Sequence, residues 1–420
     1  MQWWRCQIIS SKIYCFNNSS AILKGKLDNC LEYYICKTPY NSGNNLYLLN
    51  KAGSRYEKDL EIGISHFLEH LCLGFAKKIP YNKLVSGATL YEHTRYKIQA
   101  ERVDEIPKQL IMLKKILLGE TIVPEQIEEI REDVIREWNI GCHSESYSMR
   151  KEVFDELFCY DLVSRLPIGD YKNISNINIE DLYAYHKKFY TTNSSAIICL
   201  GDIDLVDVEI QIKSIFGELK KSMAYNFKSY LTAIPRGPRC TMRFNVFSLK
   251  EVTGELYCLL FIDNEPYSLQ KKFLTIITLF SLIEEDLKKQ LLSYQIRLNQ
   301  CSVYENRNIK EFNVISFDLP CSSEKTIKTQ VISDCLYKVI GGIKEGRISE
   351  RAFQQAKLAA VTEIKNKNST VNLLDKCILD FMYHNVEFEI QNEIKKYQEY
   401  FDALLIGDVV EMCKIIFYAI

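Results

Sequence analysis

The stretch Gly63-Ile64-Ser65-His66-Phe67-Leu68-Glu69-His70-Leu71 is the strongest constraint in the sequence, because its polar spacing acquires chemical meaning only on a helix. It holds two of the chain's six histidines, four residues apart, with a glutamate directly before the second. On a helix, positions 66 and 70 lie one turn apart on one face, and position 69 falls within that arc. Two imidazoles so placed can take adjacent corners of a tetrahedral zinc site, about 2.0–2.1 Å from the metal. Glu69 then stands beside the metal-bound water as a general base. This is the H-x-x-E-H order, the inverse of the commoner H-E-x-x-H helix. The plain alternative is an amphipathic helix whose histidines happen to share a face.

At 420 residues the chain exceeds one ordinary core, so two or more domains are expected. A hydrophobic content of 47% with 25% charged residues is ordinary for a soluble globular protein. The formal net charge of -1 gives no reason to expect a nucleic-acid or membrane partner. Fifteen cysteines run from Cys6 to Cys413 with no C-x-x-C pair. An odd count in a long chain reads as reduced thiols and a cytoplasmic location. Cys72, beside the histidine pair, reads as a buried core residue. The opening Met1-Gln2-Trp3-Trp4-Arg5 has neither the apolar run nor the cleavage site of a signal peptide, and no stretch reaches the roughly 18 apolar residues of a membrane span.

Along the chain, Cys6–Ile9, Ile13–Phe16, Leu31–Cys36 and Leu46–Leu49 read as strands separated by Asn/Ser/Gly turns. Ser86 to Ile98 reads as a turn leading into one strand. Val103–Glu120 has apolar residues at helical spacing, and Pro124 opens a further helix through Trp138. Acids at 125, 128, 129, 132, 133 and 137 on that helix read mostly as a solvated face. A connector follows at 223–238. Beyond it come strands around Phe244–Phe247, Leu256–Ile262 and Val314–Leu319, and helices near Phe273–Leu292, Ser349–Lys367 and Thr370–His384. The closing Ile390–Phe417 reads as mixed helical.

Several of these segments together resemble the pitrilysin-type (M16) inverzincin metallopeptidases, in the short two-domain form of mitochondrial processing peptidase subunits. Ala52-Gly53-Ser54-Arg55-Tyr56-Glu57 followed by Gly63 to His70 carries the likeness, as do Thr89 to Tyr96 and Asp133-Val134-Ile135-Arg136-Glu137. So do Leu166-Pro167-Ile168-Gly169, Asp181-Leu182 through Phe189-Tyr190, and Leu200-Gly201-Asp202. The resemblance implies an α+β fold of two related domains, each a mainly antiparallel sheet with helices packed on it. These would be a zinc-binding peptidase domain at 1–222 and a related domain without the motif at 239–420.

Carried over residue by residue, the resemblance makes His66 and His70 zinc ligands and Glu69 the base. Glu137 becomes the third protein ligand, with Glu145 and Glu132 as alternatives. A catalytic zinc needs three such ligands besides water. The family's accessory glutamate is not matched, since position 130 is isoleucine, and Glu129 is the nearby substitute. Ser86, Gly87, Ala88 and Thr89 match the substrate-side strand, with Ser86 in place of the family's asparagine. An extended peptide would pair there by adding a strand to the sheet edge. In the second domain Tyr294 matches the tyrosine of an Arg-x5-Tyr segment, and Lys288 replaces its arginine, keeping charge while losing bidentate geometry.

The resulting expectation is a cytoplasmic, zinc-dependent endopeptidase acting on short or extended peptides. Tyr294 would stabilise the oxyanion. Since the family's chamber needs four such domains, a second M16-like subunit, identical or paralogous, is the expected partner. Two rival readings are a non-catalytic subunit kept for assembly and a dedicated peptidase cutting leaders from ribosomally made, modified precursor peptides. Ligand type leaves manganese and cobalt open beside zinc.

Overall fold

The computed structural model describes residues 11–15, 20–38, 43–78, 85–144, 151–153, 156–157, 165–222, 239–261, 268–309, 312–369, 373–384 and 390–418. The chain divides into two units. Met1–Lys151, Tyr160–Ala233 and Asn372–Ile390 form the first, and Glu152–Cys159, Ile234–Val371 and Gln391–Ile420 the second. This differs from contiguous domains at 1–222 and 239–420 in two places, 152–159 and 372–390. The expected linker at 223–238 and strand at Cys6–Ile9 lie outside the described residues.

The first unit opens with β1 (Lys12–Cys15), β2 (Ala21–Lys26), β3 (Glu32–Lys37) and β4 (Asn44–Asn50). Then come α1 (Ile64–Lys78), β5 (Val85–Thr89), β6 (Thr94–Ala100), α2 (Ile106–Leu118) and α3 (Ile127–Cys142). It continues through α4 (Tyr171–Asn176), α5 (Ile179–Phe189), β7 (Ser195–Gly201) and α6 (Leu205–Phe216). The seven strands form one sheet in the order β1-β2-β3-β7-β4-β6-β5. Every neighbouring pair is antiparallel except β3 with β7, which is parallel. Strand β7 arrives after the helices and inserts between β3 and β4, buried at nearly every position. Strand β5 is left at one edge.

Alternation gives this sheet two working faces. Leu23, Tyr33, Ile35, Leu46, Leu48, Tyr96 and Ile98 face the helical layer, where Phe67, Leu68 and Leu71 of α1 and Leu110, Leu113 and Leu117 of α2 complete the core. The opposite residues Ile22, Tyr34, Cys36, Tyr47, Leu49 and Ile198 pack with Leu374, Cys377, Ile378 and Phe381 of the helix Leu373–Tyr383. Asp380 on that helix is buried, accepting from the Tyr34 hydroxyl at 2.7 Å and the Lys24 ammonium at 2.5 Å. The helix itself follows the sequence pattern, but its apolar stripe belongs to the first unit and not the second.

Two local readings are corrected. Ser86 to Ile98 is a hairpin, not a turn into a single strand: Ser86–Thr89 is already the edge strand, and the turn lies at 90–93, between β5 and β6. Ser86 to Thr89 therefore lie in β5, while Thr89 to Tyr96, which also carries the family likeness, spans the turn and the start of β6. The helix predicted from Val103 begins at Ile106, after one tight 3-10 turn at Val103–Glu105.

The second unit holds β8 (Arg239–Ser248), β9 (Glu251–Phe261), β10 (Arg297–Leu298), β11 (Ser302–Ile309) and β12 (Phe312–Ser322), all paired antiparallel. The 25-residue helix Ser268–Leu292 lays Ile276, Ile277, Phe280 and Ile283 into its core, with the Phe280 ring stacked on Phe317 at 4.5 Å. Strand β11 escapes a sequence reading because Ser302 to Ile309 is largely polar. Among the described residues no helix is long and apolar enough to cross a membrane, and no disulfide joins the cysteines.

One histidine ties acid stability to this packing. His186 of α5 sits under the end of α2, its Nε2 2.9 Å from the Ile116 carbonyl oxygen. Gly119 closes α2 in the left-handed region (φ 75°), where a Cβ would come 3.0 Å from the ring. A helix C-terminus favours a cation by at most about 2 kcal/mol. Burial outweighs that and holds the imidazole down at about 4. Above pH 6.5 the ring is neutral in both folded and unfolded chains. As pH falls from 6.5 towards 4 only the unfolded chain takes the proton, so stability drops by up to about 3 kcal/mol. Urea unfolding at pH 7.5, 5.5 and 4.5 should show this loss, and His186→Gln should reduce it.

Candidate metal-dependent active site

Helix α1 is held at its start by a side chain that sequence reasoning assigned no role. Glu57 accepts the Gly63 N–H at 2.8 Å through one carboxylate oxygen and the Ser65 N–H at 2.9 Å through the other, which also takes the Ser65 hydroxyl. Arg165 in turn donates to the Glu57 carbonyl and pairs with Asp59 at 2.5 Å. Burial pushes the Glu57 carboxyl up to about 7, against the Ser65 and Gly63 bonds that pull it down. An acid shortly ahead of a helix start was the available signal.

With Phe67, Leu68, Leu71 and Cys72 fully buried, α1 directs His66, Glu69 and His70 to the remaining arc, where their ligand atoms lie within 4.8 Å of one another. The His66 and His70 rings meet edge to face at 4.6 Å. Helix α3 brings the fourth group. Ile130 and Val134 are buried on its inner face, and Glu137 follows at the spacing that keeps it there. Its carboxylate stands 3.1 Å from His70 Nε2 and 3.7 Å from His66 Nε2. Two ligands on a tetrahedral zinc at 2.0–2.1 Å are themselves about 3.3 Å apart. The two carboxylate–imidazole separations lie on either side of that spacing, and the His66 and His70 ligand atoms lie within 4.8 Å of each other.

Protonation suits the same purpose. Burial, then the neighbouring His70, lowers His66 to about 4 despite the opposing pull of Glu137, so its ring carries no proton charge at neutral pH. Cys72 is pushed up to about 11 by burial and stays a core thiol, as its sequence context predicts.

Glu69 is buried and accepts the Thr89 hydroxyl at 3.0 Å. Strand β5 runs so close that a Cβ on Gly87 would stand 2.2 Å from Glu69 Oε1. Any larger residue at 87 would force the Glu69 carboxylate to move from where it now lies. Around Gly87 and Glu69 lies a cavity of about 480 Å³ lined along strand β5 and by Pro167 and Ile168. Gly87→Val should leave the fold and metal binding intact while displacing Glu69. A misplacement of about 1 Å costs on the order of 100-fold, to be read as kcat/KM beside the melting temperature.

The structure thus brings His66, Glu69, His70, Glu137 and Ser86 to Thr89 around one cavity. Glu132 and Glu129 point to solvent on α3, and buried Ile130, packed on Gly74, fills the accessory glutamate's place. Glu145 lies outside the described residues. Lys288 and Tyr294 belong to the second unit. There Lys288 pairs with Glu284 at 2.6 Å one helical turn back, and Tyr294 is 57% exposed just past the same helix.

A two-unit α+β fold with an H-x-x-E-H helix set against a sheet edge is the architecture of the M16 peptidases, and the chain belongs to that family. The family profile described as Insulinase (Peptidase family M16) matches residues 35–157, and that described as Peptidase M16 inactive domain matches 176–359. The probable zinc protease PqqL of Haemophilus influenzae is 26% identical over 204 residues, covering 44% of this chain and 22% of that protein. The mitochondrial-processing peptidase subunit beta of Dictyostelium discoideum is 26% identical over 189 residues, 41% of this chain and 39% of that one. The chain therefore spans well under half the length of these relatives. The crystal structure of the first half of the periplasmic protease PqqL from Escherichia coli superposes with a TM-score of 0.76 at 17% identity, over 97% of this chain and 91% of that chain.

Proposed function

We propose that the chain is a zinc-dependent endopeptidase that cleaves extended peptides docked on strand β5. The observation that carries this reading is the convergence of His66, His70 and Glu137, with the carboxylate 3.1 and 3.7 Å from the two imidazoles, Glu69 beside them and the β5 edge alongside. A zinc held by those three residues would supply Lewis acidity and a water of lowered pKa, about 7 in well-studied cases. Glu69, oriented by Thr89, takes the proton from the attacking water and returns it to the leaving amine. Strand β5 fixes the peptide by backbone hydrogen bonds, so side-chain rules are weak and an extended conformation is required. Tyr294 and Lys288 are proposed to assist from the second unit, and a second M16-like subunit to complete the chamber.

Purified protein should contain close to one equivalent of zinc by elemental analysis and should cleave an unstructured peptide. A chelator should abolish that activity, and added zinc restore it, with and without a co-encoded homologous subunit. Stoichiometric metal absent from every preparation would overturn the peptidase reading in favour of a non-catalytic subunit.

A further inference from the structure

Strand β5 ends its sheet, so its outward N–H and C=O groups are the ones an added peptide would pair with. Partners across a ladder share a face, and alternate residues face opposite ways. Val85, Gly87 and Thr89 stand opposite Ile98, Tyr96 and Thr94, on the face where Gly87 and Thr89 meet Glu69. Ser86 and Ala88 stand opposite Lys97 and Arg95, on the other face. Along β6 the burial alternates in step, with Thr94, Tyr96 and Ile98 buried and Arg95 and Lys97 half-buried. Neither cation enters an ion pair among the described residues.

Thus the last two strands offer, on the face away from His66, Glu69 and His70, two cations set behind two small side chains. A peptide paired to β5 would run two strand spacings from β6, roughly 10 Å. A long basic side chain reaching outward and an acidic one reaching inward close that gap across a serine or an alanine. A bulky residue at 86 or 88 would block it.

We infer that Arg95 and Lys97 select peptides with acidic side chains two residues apart in the segment paired with β5. The substrate class is therefore an acidic extended peptide, an assignment that rests on the reading of β5 as the peptide-docking edge. The phase is part of the inference. A shift of one residue would turn the acids towards Glu69 and Glu137, where like charge repels them.

Three fluorescent, unstructured peptides of one length test this, carrying Glu, Gln or Lys at the same alternate positions. Binding is read by anisotropy on zinc-loaded Glu69→Gln full-length chain, and cleavage by kcat/KM and mass spectrometry with the wild type. The Glu peptide should bind, and be cleaved, about five- to tenfold better than its Gln counterpart, as expected for two ion pairs open to solvent on one side. The preference should shrink as salt rises towards 0.5 M, roughly the range where screening acts within a few ångströms. It should vanish in Arg95→Gln/Lys97→Gln, whose melting curve checks the fold. Equal binding of Glu and Gln peptides, or a preference that survives the double substitution, overturns the inference. Cleavage without charge preference leaves the peptidase reading standing and removes this one. Acid-selective binding lost in the double variant, without any cleavage by the wild type, does the reverse. No binding by any of the three peptides overturns it as well.

Discussion

Glu69→Gln should keep the zinc and lose the reaction. The amide has the same shape as the carboxylate, and its carbonyl oxygen still accepts the Thr89 hydroxyl that orients the side chain at 3.0 Å. The three proposed ligands, His66, His70 and Glu137, are unchanged, so metal content should match the wild type. What disappears is a group able to take a proton. Loss of a positioned general base costs roughly 10²- to 10⁴-fold in rate, and the upper end applies here because Glu69 is nearly inaccessible to a substitute base from solvent. The measurement is kcat on a fixed peptide with zinc content determined on the same samples. Undiminished kcat with full zinc would remove Glu69 from the base's role.

Glu137→Ala should fail one step earlier, at the metal. The carboxylate completes a donor set whose other members are imidazoles on one helix. Removing a partner that merely supports a ligand typically costs about 10–100-fold in affinity, so deleting a ligand itself should cost more than about 100-fold. Titration with a competing chelator reads the dissociation constant directly. Glu132→Ala, on the solvent side of the same helix, serves as the comparison and should bind zinc as the wild type does. A weak Glu132 variant beside a normal Glu137 variant would transfer the third ligand to the alternative.

Different parts of this site were legible to different degrees, for physical reasons. His66, Glu69 and His70 fall within one helical turn, so local spacing alone puts them together. Glu137 is 67 residues beyond His70, and its position depends on Ile130 and Val134 seating one helix on another, which no local pattern encodes. Resemblance to a family supplied it. The edge strand was harder. Its central residues Ser86-Gly87-Ala88 are small, have little strand preference and read as a turn. Yet smallness is what its place demands, with Glu69 pressed against Gly87. The helix Leu373–Tyr383 shows the opposite failure: its periodicity was plain, while most of the surface it covers, Ile22 to Leu49, lay more than 300 residues earlier in the chain.

That last helix sets an order of events during synthesis. Until it has left the ribosome, Ile22, Tyr34, Tyr47, Leu49 and Ile198 have no cover from the segment that buries them in the finished unit. The first unit to be translated is therefore among the last to be completed, contrary to the usual amino-to-carboxyl progression of domains. A shortened chain ending at 222 would keep every proposed metal ligand and still present a bare greasy sheet. Recombinant dissection of this protein should accordingly retain residues through at least 384, and a nonsense mutation ahead of Leu373 would harm the half that carries His66, Glu69 and His70 as surely as the half it truncates.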